Sequence, residues 1–375
     1  MEDSKKLKVM SILGTRPELI RLSRVLPKMD QYFNHIFVYT KQSYDYELSD
    51  IFFEELNLRK PDYLLDVKSQ TLGGQIANII KQTEGVLLSE NPDALLVLGD
   101  TNSSLSAINA KRLKVPIFHM EAGNRSFDWN VPEEVNRRIV DHISDYNLPY
   151  TEHARRYLVA EGIDPQTIFV TGSPFAEIFS HFKKEIDASV ILKDLNLTPG
   201  KYFLVSSHRE ENVDNEDNLR ELFASFEHLV QMYKLPIIVS FHPRTKKRLE
   251  EAKISVNPLV KLAKPFGYFE YNKLQQNAYC VLSDSGSIQE ESAILGFNAV
   301  QIRVSTERPE AFDTGSIILT GFNKNAIVNA VDLTIKQSEL GEEIVVAGDY
   351  KDKNVSTKVV KLIMGFTGIK KYHKR

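Results

Sequence analysis

The apolar run Leu7-Lys-Val-Met-Ser-Ile-Leu13 is followed at once by Gly14-Thr-Arg-Pro-Glu18. A short run of apolar residues that stops at a glycine is typical of a buried β-strand. Gly14 permits a tight turn, Thr15 can cap the next helix, and Pro17 suits the first turn of that helix. The stretch therefore predicts a strand, a turn and a helix, which is the repeating element of an α/β fold.

The same pattern recurs along the whole chain. Unbroken apolar runs indicate strands that are covered on both faces, as in parallel sheets, and their alternation with helices predicts doubly wound sheets. Helices are predicted over 102–113 and 216–233, with a helical tail over 355–373. The predicted strands cover 7–13, 35–40, 94–98, 115–119, 168–171, 202–206, 236–241, 279–283, 299–303 and 316–320.

The length of 375 residues predicts two domains, at roughly 100–200 residues per domain. The change of domain is placed near residue 175, in the segment between Gly172-Ser-Pro174 and Pro199-Gly200. We predict a first Rossmann-like domain over 1–174 that also takes in the tail 356–375, and a second over 175–355. The two domains are expected to face a cleft.

Composition excludes several classes of protein. The 47 Lys and Arg residues nearly balance 50 Asp and Glu, with a net charge of −3, which argues against a general nucleic-acid binder. Cys280 is the only cysteine, so an intrachain disulfide and a Cys-rich zinc site are excluded. The sequence has no signal-peptide pattern and no apolar run of about 20 residues. A soluble cytoplasmic enzyme without a metal or a membrane partner is expected.

Charged side chains cluster after the predicted strands of the first half. Ligands of open α/β sheets bind beyond the carboxyl ends of the strands. Asp100 follows one strand and Glu121 follows the next, while Pro132-Glu-Glu-Val-Asn-Arg137 opens a helix. Several carboxylates in one cleft can divide acid and base work. The plainer alternatives are that Asp100 caps a helix and that Glu133 and Arg137 form a solvated pair four residues apart.

Polar motifs follow the strands of the second half as well. His208 in Ser206-Ser-His-Arg-Glu-Glu-Asn212 is either a phosphate or acid group or a structural histidine. The segment Ser283-Asp-Ser-Gly-Ser-Ile-Gln-Glu-Glu291 offers backbone N–H groups at a helix start, which suit a diphosphate, although it also reads as an ordinary helix cap. Neither a Gly-x-Gly-x-x-Gly nor a Walker A motif occurs, which argues against the binding of a nicotinamide cofactor or ATP.

Taken in order, the motifs resemble the non-hydrolysing UDP-N-acetylglucosamine 2-epimerase family over roughly residues 7–365. The resemblance implies a GT-B-like fold and inversion of C2 in a UDP-linked 2-acetamido sugar, by loss of UDP to a 2-acetamidoglycal and its re-addition. It implies no cofactor, and a homodimer is expected. The motifs are Gly14-Thr-Arg-Pro-Glu18, Gly99-Asp-Thr101, Glu121-Ala-Gly-Asn-Arg125, Pro132-Glu-Glu-Val-Asn-Arg137, Asp284-Ser-Gly-Ser-Ile-Gln-Glu-Glu291 and Thr306-Glu-Arg-Pro-Glu310.

The resemblance also implies roles for individual residues. Asp100, Glu121 and Glu133 are the carboxylates for proton transfer and sugar orientation, and His208 lies at the leaving diphosphate. Which carboxylate is the acid and which is the base stays open. The residues expected to bind the substrate are Arg16, Arg21, Arg137, His242, Ser285, Gly286, Ser287, Glu291 and Arg308.

Some positions depart from the family pattern. Lys41-Gln-Ser-Tyr-Asp-Tyr46 replaces a Gly-Gln-His-Arg-type stretch that is tied to activation by substrate, and Gly123-Asn-Arg-Ser-Phe-Asp128 replaces Gly-Leu-Arg-Thr. Gly172-Ser-Pro174 stands for Gly-Asn-Pro, and Arg21 stands where many members have Lys. These variants resemble the branch that makes UDP-N-acetyl-L-fucosamine from its L-talo epimer for capsule or O-antigen synthesis. A GT-B glycosyltransferase and a non-catalytic nucleotide-sugar sensor are the alternative functions.

Overall fold

The computed structural model describes residues 6–41, 46–207, 215–240, 248–249 and 251–369, with only the helical backbone of 46–50. The chain divides into two compact units. The first runs up to Ser180 and resumes at Gly348, and the second is His181–Ala347. Among the described residues each unit contains one six-stranded sheet, and every strand pair in both sheets is parallel.

The first unit has the strand order β3-β2-β1-β4-β5-β6. Its strands are β1 Lys8–Leu13, β2 Asn34–Tyr39, β3 Tyr63–Leu64, β4 Ala94–Leu98, β5 Ile117–Met120 and β6 Tyr146–Leu148. Its helices are Arg16–Leu22, Val25–Tyr32, Tyr46–Glu55, Leu72–Glu90, Ala107–Arg112, Pro132–Ile143, Glu152–Ala160, Phe175–His181 and Val355–Phe366, with 3₁₀ turns at Asn102–Ser106, Pro165–Thr167 and Gly348–Tyr350.

The second unit has the order β12-β11-β10-β7-β8-β9, which repeats that of the first unit when its strands are counted in sequence. The strands are β7 Phe203–Ser206, β8 Ile237–Ser240, β9 Val260–Ala263, β10 Cys280–Ser283, β11 Ala299–Gln301 and β12 Ile318–Leu319. The described helices are Lys183–Ala188, Ile191–Asp194, Glu216–Tyr233, Tyr268–Asn277, Ile288–Leu295, Glu310–Asp313 and Lys324–Glu339. Both orders are those of a doubly wound Rossmann-type sheet, so this part of the predicted fold class is confirmed.

Burial explains why the central strands were predictable. All five residues of β4 are at most 1% exposed, because helices cover both faces of the sheet. Met10 and Ile12 of β1 and Val97 of β4 share one apolar cluster with Val140 of the helix Pro132–Ile143. A central parallel strand therefore has an unbroken apolar sequence.

The edge of each sheet differs from the prediction. The predicted strand 168–171 is wrong, since only an isolated bridge joins Ile168 to Asn147. Three strands were not predicted: β3 has two residues, β6 contains the polar Asn147, and β9 carries the exposed Lys261. An edge strand is short or only half covered, so its sequence lacks the apolar run of a central strand.

The returning C-terminal helix belongs to the first unit. Lys28 Nζ donates a hydrogen bond of 2.7 Å to Thr357 Oγ1, and Ser356 N donates one of 2.9 Å to Glu177 Oε2. Glu177 lies on the helix Phe175–His181, which is thereby tied to the first unit. The first segment of the unit consequently extends past residue 174, and its second segment begins before residue 356. Residues 174 and 356 are the limits predicted from the sequence. None of the helices in the described ranges is long and apolar enough to cross a membrane.

We expect Ile363→Ala to destabilise the first unit. Ile363 is fully buried on the helix Val355–Phe366, and a truncation of this kind costs about 2–5 kcal/mol in folding free energy because it leaves a cavity. The adjacent Met364 is 48% exposed, so Met364→Ala is the matched control and should change stability little. Urea unfolding followed by circular dichroism measures both. Equal midpoints for the two variants would contradict the packing described for this helix.

Candidate active site

Glu121 lies directly after β5 in a strained backbone conformation. Its φ is +62°, a region that residues other than glycine seldom adopt. Its carboxylate is held from two sides: Arg21 Nη1 lies 2.8 Å from Oε2, and Asn124 Nδ2 donates a 3.3 Å hydrogen bond to Oε1. The side chain is only 6% exposed. The turn after β4 passes close beneath it, since a Cβ atom on Gly99 would lie 3.3 Å from Glu121 Oε2.

Asp100 follows β4, the neighbour of β5 in the sheet. Arg137 donates to its Oδ2 from both Nε, at 2.9 Å, and Nη2, at 2.5 Å. The amide of Asn136 donates a 3.0 Å hydrogen bond to the backbone carbonyl of the same residue. Two adjacent positions on the helix Pro132–Ile143 thus fix both the backbone and the carboxylate of Asp100.

The first turn of that helix carries two glutamates in different surroundings. Glu133, the predicted catalytic residue, is exposed. Glu134 is fully buried and was not singled out from the sequence. It lies 3.0 Å from Arg137 Nη1 and accepts hydrogen bonds from the N–H and hydroxyl of Ser126, each 3.1 Å long. Glu134 therefore connects the loop after β5 to the arginine that holds Asp100.

Glu18 is a second carboxylate that sequence reasoning missed. Its Oε2 accepts hydrogen bonds from Gly14 N at 3.0 Å, Thr15 N at 2.8 Å and Thr15 Oγ1 at 2.8 Å. Thr101 Oγ1 donates to its Oε1 at 3.1 Å, which joins the turn after β1 to the turn after β4. Burial raises the pKa of this carboxyl to about 7, against the lowering effect of the hydrogen bonds. A glutamate three residues after a Thr cap is the sequence signal that could have identified it.

Asp141 binds the turn that contains Glu121 through Gly123 and Arg125. Both of its carboxylate oxygens accept from Gly123 N at 3.2 Å, and Arg125 Nη1 lies 2.7 Å from Oδ2. Gly123 has a φ of +79°, and a Cβ atom there would lie 2.5 Å from the carbonyl oxygen of Ala154. Only glycine fits this position, so the course of the turn is fixed by sterics as well as by charge.

Arg16 begins the helix Arg16–Leu22, directly after the turn that follows β1. Its guanidinium carbon lies 5.1 Å from the centroid of the Phe52 ring, within cation–π distance. In the first unit the predicted site residues lie in the loops that follow β1, β4 and β5 and in the helices after β1 and β5. They are Arg16, Arg21, Asp100, Glu121 and Arg137.

Ser285, Gly286 and Ser287, the residues predicted to bind a diphosphate, lie between β10 and the helix Ile288–Leu295. Ser287 is the cap of that helix, and the hydroxyls of Ser285 and Ser287 are 2.9 Å apart. Gln301 Nε2 donates a 3.1 Å hydrogen bond to the carbonyl of Ser285. The N–H groups of Ser285 and Ser287 donate to the hydroxyls of Ser283 and Ser285, at 3.1 and 3.3 Å. The ion pair of Arg303 and Glu307 lies beside Gly286.

Arg308 and Glu291 occupy different surroundings in the same unit. Arg308 is buried, and its Nε lies 2.7 Å from Oε2 of the fully buried Glu290. Glu291 Oε2 accepts a 2.7 Å hydrogen bond from Gln275 Nε2. Burial raises the pKa of Tyr271, and the nearby charge of Glu291 raises it further. Glu290 was missed because the sequence does not show which of two adjacent glutamates faces inward.

His208 and His242 lie outside the described residues. Within the described ranges no group of three or more His, Cys, Asp and Glu side chains is placed to hold a metal ion. The first unit offers oriented carboxylates after β4 and β5, and the second unit has a helix start after β10.

We expect Glu18→Gln to remove part of the pH dependence of stability. A carboxyl whose pKa rises from 4.5 to about 7 on folding binds its proton more tightly in the folded state. The free energy of unfolding therefore falls as pH rises between these values, by on the order of 3 kcal/mol, and a glutamine lacks this decline. Urea unfolding at about pH 5 and about pH 8 measures it. Glu84→Gln, at an exposed position, is the control. The same decline in wild type and Glu18→Gln would refute the assignment.

Comparisons with known proteins show what the chain as a whole is similar to. A solved structure described as UDP-N-acetylglucosamine 2-epimerase from Rickettsia bellii has a TM-score of 0.90 and 45% identity, over 97% of this chain and 98% of that one. The UDP-GlcNAc 2-epimerase of Methanocaldococcus jannaschii, solved in complex with UDP-GlcNAc and UDP, has a TM-score of 0.87 and 37% identity, over 96% and 99%. A Pseudomonas aeruginosa relative named UDP-2,3-diacetamido-2,3-dideoxy-D-glucuronate 2-epimerase is 31% identical over 361 residues, 95% of this chain and 100% of that protein.

The likeness to these structures confirms the predicted α/β, GT-B-like fold of two Rossmann-like units. A family model described as UDP-N-acetylglucosamine 2-epimerase matches residues 27–364, which is most of the chain. The resemblance seen in the sequence motifs is thereby confirmed, and the chain belongs to the UDP-N-acetylglucosamine 2-epimerase family, a family of isomerases.

Proposed function

We propose that this enzyme inverts C2 of a UDP-linked 2-acetamido sugar. The observation that carries the proposal is the pair of carboxylates after adjacent parallel strands, Asp100 held by Arg137 and Glu121 held by Arg21. Two oriented carboxylates provide a base on one face of a sugar ring and an acid on the other. The UDP-GlcNAc bound in the Methanocaldococcus jannaschii relative supports a UDP sugar as the substrate.

The chemistry explains why both a leaving group and carboxylates are required. The C2 hydrogen has no carbonyl beside it, so direct removal is too difficult. In the proposed elimination the C1–O bond breaks, its electron pair leaves with UDP, and a carboxylate takes the C2 proton. The C–H electrons form the C1–C2 double bond of a 2-acetamidoglycal. Re-addition of UDP at C1, with protonation of C2 on the opposite face, gives the epimer and needs no redox cofactor.

Roles are assigned to residues as follows. Asp100, Glu121 and Glu133 transfer the C2 proton and orient the sugar, and His208 acts at the leaving diphosphate. The ion pairs give Arg21 and Arg137 a second task, which is to orient the two carboxylates. The other residues proposed to bind the substrate are Arg16, His242, Ser285, Gly286, Ser287, Glu291 and Arg308.

Two substrate pairs are compatible with this chemistry. One is UDP-GlcNAc and UDP-ManNAc, and the other is UDP-2-acetamido-2,6-dideoxy-L-talose and UDP-L-FucNAc. The bound ligand of the Methanocaldococcus jannaschii relative favours the first pair, whereas the variant segment Gly123–Asp128 favours the second. The Pseudomonas aeruginosa relative, named for a third sugar, supports a substrate range broader than UDP-GlcNAc among similar proteins.

The proposal extends to the role of the product. The epimer would supply capsule, O-antigen or other cell-wall polysaccharides, and the enzyme would act as a cytoplasmic homodimer, as the sequence predicts. Membership of an epimerase family favours this function over a GT-B glycosyltransferase and over a nucleotide-sugar sensor.

Deuterium exchange at C2 tests the reaction directly. In D2O the enzyme should incorporate one solvent deuterium at C2 of its substrate, because the C2 proton leaves and is replaced in each turnover. Proton NMR on UDP-GlcNAc and UDP-L-FucNAc, incubated separately, follows the loss of the C2 signal and identifies the substrate pair. The absence of exchange with both sugars would refute the epimerase proposal.

Glu121→Gln tests the carboxylate. The amide keeps the shape of the side chain but cannot take up the C2 proton, so exchange should slow by about 10²–10⁴-fold, the usual contribution of a positioned base or acid. UDP binding, measured by calorimetry, should stay near the wild-type value. Glu84→Gln, at an exposed position of the helix Leu72–Glu90, is the control. An exchange rate for Glu121→Gln within a few-fold of wild type would remove Glu121 from the mechanism.

A further inference from the structure

The described part of the first unit contains a continuous row of alternating charges that starts at Asp100. Arg137 Nη2 lies 2.5 Å from Asp100 Oδ2, and the Nη1 of the same arginine lies 3.0 Å from Glu134 Oε2. The other oxygen of Glu134 lies 3.0 Å from Arg138 Nη2. Arg138 Nη1 in turn lies 2.8 Å from Glu161 Oε1. One end of the row is therefore a predicted catalytic carboxylate.

The row continues from Glu161 to the turn that contains Glu121. Arg125 reaches Glu161 with two parallel hydrogen bonds, Nε to Oε1 at 2.8 Å and Nη2 to Oε2 at 2.6 Å. Arg125 Nη1 lies 2.7 Å from Asp141 Oδ2, and Asp141 accepts from Gly123 N at 3.2 Å. Gly123 is two residues from Glu121 along the chain. The second end of the row is thus the strained turn of the other predicted carboxylate.

Glu161 lies in the middle of this row and pairs with one arginine from each half, Arg125 and Arg138. It follows the helix Glu152–Ala160 as its C-cap, and its side chain is 20% exposed. The hydrogen bonds from Arg125 lower the pKa of the Glu161 carboxyl below its ordinary value. Removal of its charge would leave Arg125 with Asp141 and Arg138 with Glu134. The two pairs would then be joined through the hydrogen bonds from Ser126 to Glu134 and through the backbone of the helix Pro132–Ile143, without a side chain that binds both arginines.

We propose that Glu161 is a positioning residue. Through Arg138 and Arg125 it helps to hold Asp100 and the turn that contains Glu121 at fixed positions relative to each other. This inference rests on the proposed C2 epimerisation, in which both carboxylates act on one carbon. Arg125, Glu134 and Asp141 are almost completely buried, and bidentate Arg–carboxylate pairs fix direction as well as distance. Small displacements of catalytic groups have large effects on rate, so a remote residue that holds two of them affects turnover.

Kinetics of Glu161→Gln test the proposal. We expect kcat to fall about tenfold, with KM for the UDP sugar within twofold of wild type, since geometry and not substrate binding is disturbed. Glu161→Asp keeps the charge and should restore most of kcat. Glu152→Gln is the matched control, because Glu152 begins the same helix and pairs only loosely, at 3.5 Å, with Arg155. A wild-type kcat in Glu161→Gln, or an equal fall in Glu152→Gln, would overturn the proposal.

A second variant keeps the test decisive if Glu161→Gln fails to fold. Arg138→Gln breaks the same row from the other side of the Glu161 link, at a side chain that is 25% exposed. Its kcat should fall by a similar factor, and the double variant with Glu161→Gln should fall no further than the more affected single variant. A wild-type kcat in Arg138→Gln, or fully multiplicative effects in the double variant, would overturn the proposal.

Fluorescence gives a readout that does not depend on turnover. The guanidinium carbon of Arg138 lies 4.9 Å from the ring centroid of Trp129, which is the chain's single tryptophan. Glu161→Gln should remove one of the two carboxylates that hold Arg138 and shift the tryptophan emission in the same direction as Arg138→Gln, whereas Glu152→Gln should not. If wild type turned over neither sugar, the proposed function would fail while this measurement still tested the row. Unchanged emission in Glu161→Gln would overturn the link between Glu161 and Arg138.

Discussion

The first unit depends on the pairing of carboxylates that are buried at the carboxyl ends of parallel strands. A buried carboxylate costs several kcal/mol unless cations or N–H donors replace its water. Glu18 is satisfied by backbone N–H groups and hydroxyls, Glu134 by two arginines and Ser126, and Asp141 by Arg125 and Gly123. The donors come from the loops after β1, β4 and β5 and from the helix Pro132–Ile143, so the pairs that offset the cost of burial also fix these loops.

Sheet topology brings these distant residues together. In the order β3-β2-β1-β4-β5-β6, the strand β4 lies between β1 and β5, and the three strands end at one edge. Arg21, on the helix after β1, therefore meets Glu121 after β5 although 100 positions separate them. The turn after β4 lies between, with Thr101 bonded to Glu18 and Gly99 close to Glu121. The site is a consequence of the strand order, in agreement with the rule that open α/β sheets bind ligands where the order reverses.

The sequence predicts the central strands and the loops that follow them, because burial on both faces demands an apolar run. It predicts Asp100 and Glu121 for the same reason, since a carboxylate directly after such a run is seldom on an open surface. It does not distinguish Glu133 from Glu134 or Glu290 from Glu291, because that choice depends on the rotation of a helix against its neighbours. The sequence does not predict the row of ion pairs through Glu161 either, because these pairs join loops and helices whose packing no local sequence pattern specifies.

The two units use the same topology with different donors. After β4 and β5 the side chains are charged and oriented by ion pairs. After β10 the helix start is shaped mainly by Ser285, Ser287 and Gln301, and the buried Arg308 is neutralised by Glu290. Proton transfer at carbon requires carboxylates whose direction is fixed, and the ion pairs after β4 and β5 fix it. The proposed proton transfer is assigned to the first unit for this reason, and the proposed UDP binding is assigned to the helix start after β10 because helix N-termini bind phosphate groups.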